Sequence, residues 1–270
     1  MFVIISGHEI QEELLNIGSM SRLETSYTNL GYGMLILLGL SFVSFAPAYF
    51  MVLHTSVPWT MHLHAVLMFA WMGIVIAQPF LIRQKKYSLH RKVGKATYVL
   101  VPLLLISGFV MIRYAYARDL NVIPQEALEN GNVLSPEEVV HKARVYSGLG
   151  LYYFFGFLIF YPLAILHRHE PNSHAKYMIA TSLAVVGPIV DRILFRSFHF
   201  FKLNAGFPLE YVSFGLIDLV MILLLYVDYK KGYPMRTSVI CFSIYGLGQV
   251  FYYAGLSSSA WQTFAGWLLN

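Results

Sequence analysis

Residues 61–95, MHLHAVLMFAWMGIVIAQPFLIRQKKYSLHRKVGK, decide the fold class. Two histidines, His62 and His64, open an apolar run that ends near Ile82. A run of about 20 apolar residues is what a hydrocarbon core of about 30 Å asks of a helix. Six basic residues then fall within thirteen positions, Arg83, Lys85, Lys86, Arg91, Lys92 and Lys95, with His90 among them where the next apolar run begins. A Lys/Arg cluster between two apolar runs marks the cytoplasmic side of a membrane hairpin. One stretch therefore gives solvent, orientation and candidate chemistry.

Composition agrees. The chain is 57% hydrophobic and 12% charged, with a mean hydropathy of +0.58. Soluble domains carry about 25% charged residues, so the shortage points to lipid as the surrounding medium. The net charge of +5 lies in short segments between apolar runs, which argues against nucleic acid as a partner. Cys241 is the sole cysteine, so an intramolecular disulfide and a cysteine-built zinc site are both excluded.

The pattern predicts an all-α polytopic bundle of about seven transmembrane helices, at 31–53, 60–82, 92–114, 144–167, 175–198, 210–228 and 237–256. Residues 1–30 are expected to form a cytoplasmic or interfacial segment, with a short surface helix over 9–17 and no signal-peptide pattern. Residues 31–256 make the bundle, with a four-helix core over 60–198 and the first, sixth and seventh helices peripheral. Residues 257–270, carrying Trp261 and Trp267, read as an interfacial tail. Residues 115–140 read as the longest external loop, closed by Ser135-Pro136 and Glu138, the signature of a capped helix start. With the 83–95 segment inside, twelve Lys and Arg lie inside and seven outside, Lys176 among the inner ones. That places the N-terminus in the cytoplasm and the C-terminus outside.

A weak internal repeat supports two similar hairpins. Leu81-Ile-Arg83 leads to His90-Arg-Lys92, and Leu166-His-Arg168 leads to His174-Ala-Lys176. Each has an apolar helix end, an Arg, a polar turn, and His-x-Lys opening the next helix.

Four of the ten histidines stand one per helix, at alternating ends: His64, His90, His141 and His174. His64 with His141 at the outer face and His90 with His174 at the inner face would ligate two b-type haems stacked across the bilayer. Small residues such as Gly73, Gly94, Gly108 and Gly148 are candidates to make room for the rings. The basic 83–95 segment would then receive a small anionic donor or a protein electron donor. Histidines at headgroup depth are also simply comfortable there, which is the plainer reading of His54, His167, His169 and His199.

Through His64-Ala-Val-Leu-Met68 followed by Arg83, and through Leu89-His90 after basic residues, residues 60–195 distantly resemble the two-haem transmembrane cytochromes b that use ascorbate as donor. Through His62-x-His64-Ala, Trp71, Gln78, Arg83, His90-Arg91 and Gly94, through His174-x-Lys176-x-Met178, and through the Asp218–Asp228 region, the chain also resembles a group of uncharacterised bacterial seven-helix membrane proteins. The first resemblance implies electron transfer, and the second implies a bacterial inner membrane but no activity.

Two further readings compete. His62, His64, Asp191 and Asp218 could share an outward-facing divalent-metal site of hydrolytic or transport role, since two histidines with carboxylates suit zinc. Asp191 could instead be neutralised by Arg192 or Arg113. The third reading needs no cofactor and makes the protein a transporter or a structural membrane component. Gln78 and Gln249, isolated in apolar helices, read as interhelical hydrogen-bond partners.

Overall fold

A computed structural model describes residues 31–194 and 210–270. Expectations for 1–30, for 195–198 of the fifth span, and for His199 lie outside the described residues. Nine helices follow one another, with no strand among the described residues: α1 (Gly31–Phe45), α2 (Trp59–Arg83), α3 (Tyr87–Glu129), α4 (Pro136–Leu166), α5 (Pro171–Leu183), α6 (Val186–Arg192), α7 (Glu210–Lys231), α8 (Arg236–Gly255) and α9 (Ser259–Leu269). A single 3-10 turn, Phe50–Val52, lies between α1 and α2. The chain is all-α, built as a membrane protein. By length and composition α2, α3, α4 and α7 can each cross a bilayer, and α8 with α9 passes only as a pair bent by 103°.

Three expected elements differ, each for a physical reason. The external loop of 115–140 is mostly helix, because α3 runs on to Glu129. Tyr116, Leu120, Ile123 and Ala127 recur at helical spacing, and Tyr116 and Ile123 bury against Val139 and Ala143 of α4 and Trp261 of α9. The fifth span is broken in two. Pro188 has no N–H for the carbonyl four residues back, and the chain turns through Ala184 and Val185 with bonds three residues long. The first span stops at Phe45, short of its expected end at 53, because Pro47 has no N–H for the Val43 carbonyl, which takes the Ala46 N–H three residues on instead.

The core is wider than four helices. Trp71 of α2 packs against Phe157 and, edge-on, Tyr161 of α4, with ring centroids 5.0 and 6.0 Å away. Phe214, Ile217 and Met221 of α7 and Cys241 and Tyr245 of α8 bury with them. The sixth and seventh expected spans are therefore structural members of the core rather than peripheral to it. Gly187 is required by this packing, since the Tyr153 ring lies where its Cβ would be. That close approach lets the Tyr153 hydroxyl reach Ser213 Oγ at 3.0 Å.

Two short turns set the inner end. The α2–α3 turn closes with Lys86 N–H donating to Leu81 O and Lys85 N–H to Ile82 O, with Lys85 left-handed at φ 57°. The α4–α5 turn occupies only 167–170. The α4 start is capped as its sequence predicts: the Glu138 N–H donates to Ser135 Oγ, and the Ser135 N–H to the Glu138 carboxylate.

Candidate functional site

The inner ends of α2 to α5 bring His90 and His174 together. Both open helices after those short turns, so each sits in a first turn at the same height. They are near enough for their charges to interact. The His174 Nδ1 is 2.8 Å from the Ala164 carbonyl oxygen, so it is the protonated nitrogen that donates and Nε2 keeps its lone pair. The His90 Nδ1 is buried with no hydrogen-bond partner. Gln78 Nε2 donates to the His90 carbonyl at 3.3 Å, while Gln78 Oε1 is a second buried atom with no partner. Buried polar atoms are nearly always satisfied, so two orphans in one place indicate a site for a polar or coordinating group. A methyl group at Gly94, one turn along α3 from His90, would meet only Gln78 Nε2, at 3.7 Å.

His64 and His141 are not brought together. His64 Nδ1 lies 3.0 Å from Ser107 Oγ. Its Cε1 and the Phe154 ring both lie over Gly108, at 3.6 and 4.0 Å, so His64, Gly108 and Phe154 share one height. His141 precedes Phe154 by thirteen positions, roughly 20 Å along α4. Its side chain is exposed. Two ligands of one iron must stand about 4 Å apart, so the outer pair does not form. The reason is the height of the α4 start, which the over-long α3 carries beyond the apolar slab. Nor is Gly148 open, for Leu256 fills that space.

The alternative metal residues are dispersed as well. His62 Nδ1 pairs with the Tyr49 hydroxyl at 2.8 Å, on a different side of α2 from His64. Asp218 accepts from Gln249 Nε2 at 2.9 Å. Among the described residues no group of three or more His, Cys, Asp or Glu converges as a metal site. Asp191 lies by Ser213 and within electrostatic reach of Arg192, whose guanidinium also stands 4.8 Å over the Phe45 ring. Arg113 is engaged with the Asn270 carbonyl at 2.8 Å.

The sequence reading missed a fully buried ion pair. Lys176, counted as an inner loop cation, is 2% exposed and lies 2.7 Å from Asp228, itself 1% exposed. Ser238 Oγ donates to the same carboxylate at 2.6 Å, and the Pro234 carbonyl accepts from Lys176 at 3.4 Å. The available signal was the start of α5 at Pro171, which moves Lys176 into the second turn and under the α7–α8 turn. Gln78 and Gln249 do act as interhelical partners.

An apolar cleft of about 380 Å³ lies between α4, α8 and α9 and is lined by no histidine. Compared with known proteins, the chain matches no family model, no curated protein and no solved structure.

Proposed function

We propose that this integral membrane protein holds one b-type haem between His90 and His174, at the bundle end that carries the basic 83–95 segment, and serves electron transfer there. The reading rests on one observation: an orphaned buried imidazole nitrogen beside a second imidazole whose Nδ1–H is already committed to a backbone carbonyl. Histidine ligands are typically held in this way, with the non-ligating nitrogen donating to a carbonyl that fixes tautomer and ring orientation. Gln78 steadies the start of α3 through the His90 carbonyl, and Gly94 leaves the space beside it unfilled. When bound, the haem supplies a one-electron couple whose potential is set by bis-imidazole ligation and burial.

The exposed Arg83, Lys85, Lys86 and Arg91 would offset carboxylate charge at the site and attract an anionic donor. A single site at one face does not bridge a core of about 30 Å, so exchange is between partners on that face. The Lys and Arg distribution supports a cytoplasmic position for that face, with the N-terminus inside and the C-terminus outside, and the bacterial inner membrane rests on the resemblance given above.

Reduced-minus-oxidised absorbance of the purified protein tests this. The wild type is expected to show a b-type band at one haem per chain. His90→Ala and His174→Ala should each abolish it, while His64→Ala and His141→Ala keep it. A band that survives either inner substitution, or no band after haem loading, would sink the proposal.

A further inference from the structure

The cleft between α4, α8 and α9 is held open by where its large side chains are stowed. The Tyr152 ring of α4 sits against Gly248 of α8, 2.8 Å from where a Cβ would be. Leu256, at the end of α8, occupies the same kind of notch at Gly148 of α4, and the Tyr245 ring lies 3.5 Å over Gly156. Each side chain that could fill the cleft is thus tucked into the opposite helix. Their polar tips are turned away as well. The Tyr245 hydroxyl donates to the Ala180 carbonyl at 2.6 Å, that of Tyr252 to Glu210 at 3.2 Å, and that of Tyr152 to the Tyr245 carbonyl at 3.4 Å. Trp261 Nε1 donates to the Arg144 carbonyl at 3.1 Å. Ring faces and aliphatic groups are what remain on the walls.

The helix α4 sets the depth. The cleft follows it from Gly148 to Ile159, eleven residues or about 16 Å. Gly148 stands eighteen residues, about 27 Å, from the inner end of α4 at Leu166. Against a hydrocarbon core of about 30 Å, the cleft has the depth of one leaflet and starts just inside the outer edge. Ile159 and Phe251 are 42% and 51% exposed, so it opens sideways to lipid. One turn beyond Gly148, about 33 Å from Leu166, Arg144 is at headgroup height. Its guanidinium lies against Gly266 of α9, and its Nε is buried with no partner. Among the described residues no carboxylate pairs with it.

We propose that this cleft holds an acyl chain of one anionic phospholipid, whose phosphate meets Arg144. The walls select the chain. A quinone head would find no free donor inside, and a hydrated ion would find none of its ligands. Arginine selects the head, because a guanidinium offers phosphate a planar fork of donors. A zwitterionic lipid brings the same phosphate together with its own cation, so a net negative head is favoured. The lipid then completes the corner where α9 bends away from α8.

The test is native mass spectrometry of the intact protein. Extracted in mild detergent, the wild type should carry one phospholipid per chain. After delipidation it should take up dioleoyl phosphatidylglycerol several-fold better than dioleoyl phosphatidylcholine from an equal mixture. Ala260→Phe and Ile159→Phe fill the cleft from two different walls, and each should lose the lipid. Val250→Phe, on the lipid-facing side of α8 outside the cleft, should keep it. Arg144→Gln should keep the lipid and lose the preference. A second measurement stands even where a filling variant fails to fold. With Trp59→Phe and Trp267→Phe in place, brominated phosphatidylglycerol added at one per chain in detergent should quench Trp261, which lines the cleft, and spare the fully buried Trp71. The proposal is overturned by an empty wild type, by a quinone or detergent in the lipid's place, or by a folded filling variant that still binds. An unquenched Trp261, or an Arg144→Gln variant with its preference intact, overturns it equally. None of these readings involves the haem band, so the two proposals fail separately.

Discussion

The two ends of the bundle treat the same residue types in opposite ways. At the inner end His90 and His174 lie within electrostatic reach of each other, and Lys176 meets Asp228, whose carboxylate also accepts from Ser238. At the outer end His64 and His141 stand apart, and His62 is tied to Tyr49. The difference follows from the connections. Inner turns of three or four residues fix the heights of the helices they join, so first-turn residues meet. At the outer end the α1–α2 connection is longer and the α3–α4 connection lies beyond continued helix, and there a residue's place in its run no longer gives its depth.

The sharpest way to break that contrast is Asp228→Asn. It leaves the Lys176 ammonium buried without its partner and should cost about 3–5 kcal/mol, read as a large fall in melting temperature in detergent. Melting unchanged would mean that the pair is open to water. Next is Gly187→Ala at the outer end, where packing rather than charge holds the helices. The added methyl must displace the Tyr153 ring and part it from Ser213, at about 2 kcal/mol. Asp191→Leu has the smallest effect. It removes a carboxylate that lies by Ser213 and the Arg192 charge, and should lower stability by about 1 kcal/mol. Unchanged melting there would mean that neither neighbour holds it.

Much of this was legible from the chain. Apolar runs gave the all-α class, and the repeated His-x-Lys after each inner turn pointed to the pair at 90 and 174. The Ser135–Glu138 cap was readable because it is local. What escaped was height and distance. Helix α3 passes from apolar to polar sequence near Tyr114 without a break, and only the spacing of Tyr116, Leu120 and Ile123 betrays that it continues. That overrun separates His141 from His64. The Lys176–Asp228 pair joins positions 52 apart, and no local pattern tells a loop lysine from one roofed by a distant turn. Asp191 was legible as an interior carboxylate near Arg192, while Arg113, the other candidate, is drawn to Asn270.

The sharp bend between α8 and α9 also has a mechanical meaning. A helix turned by 103° from a spanning one lies close to the membrane plane, and α9 carries Trp261 inward and Trp267 outward, as a float would. At its other end α8 is moored by Ser238 to Asp228. Its twenty residues measure about 30 Å, which leaves almost no slack against the hydrocarbon. A mooring at one end and a float at the other leave the three residues Leu256–Ser258 as the place where a change of bilayer thickness would have to be taken up.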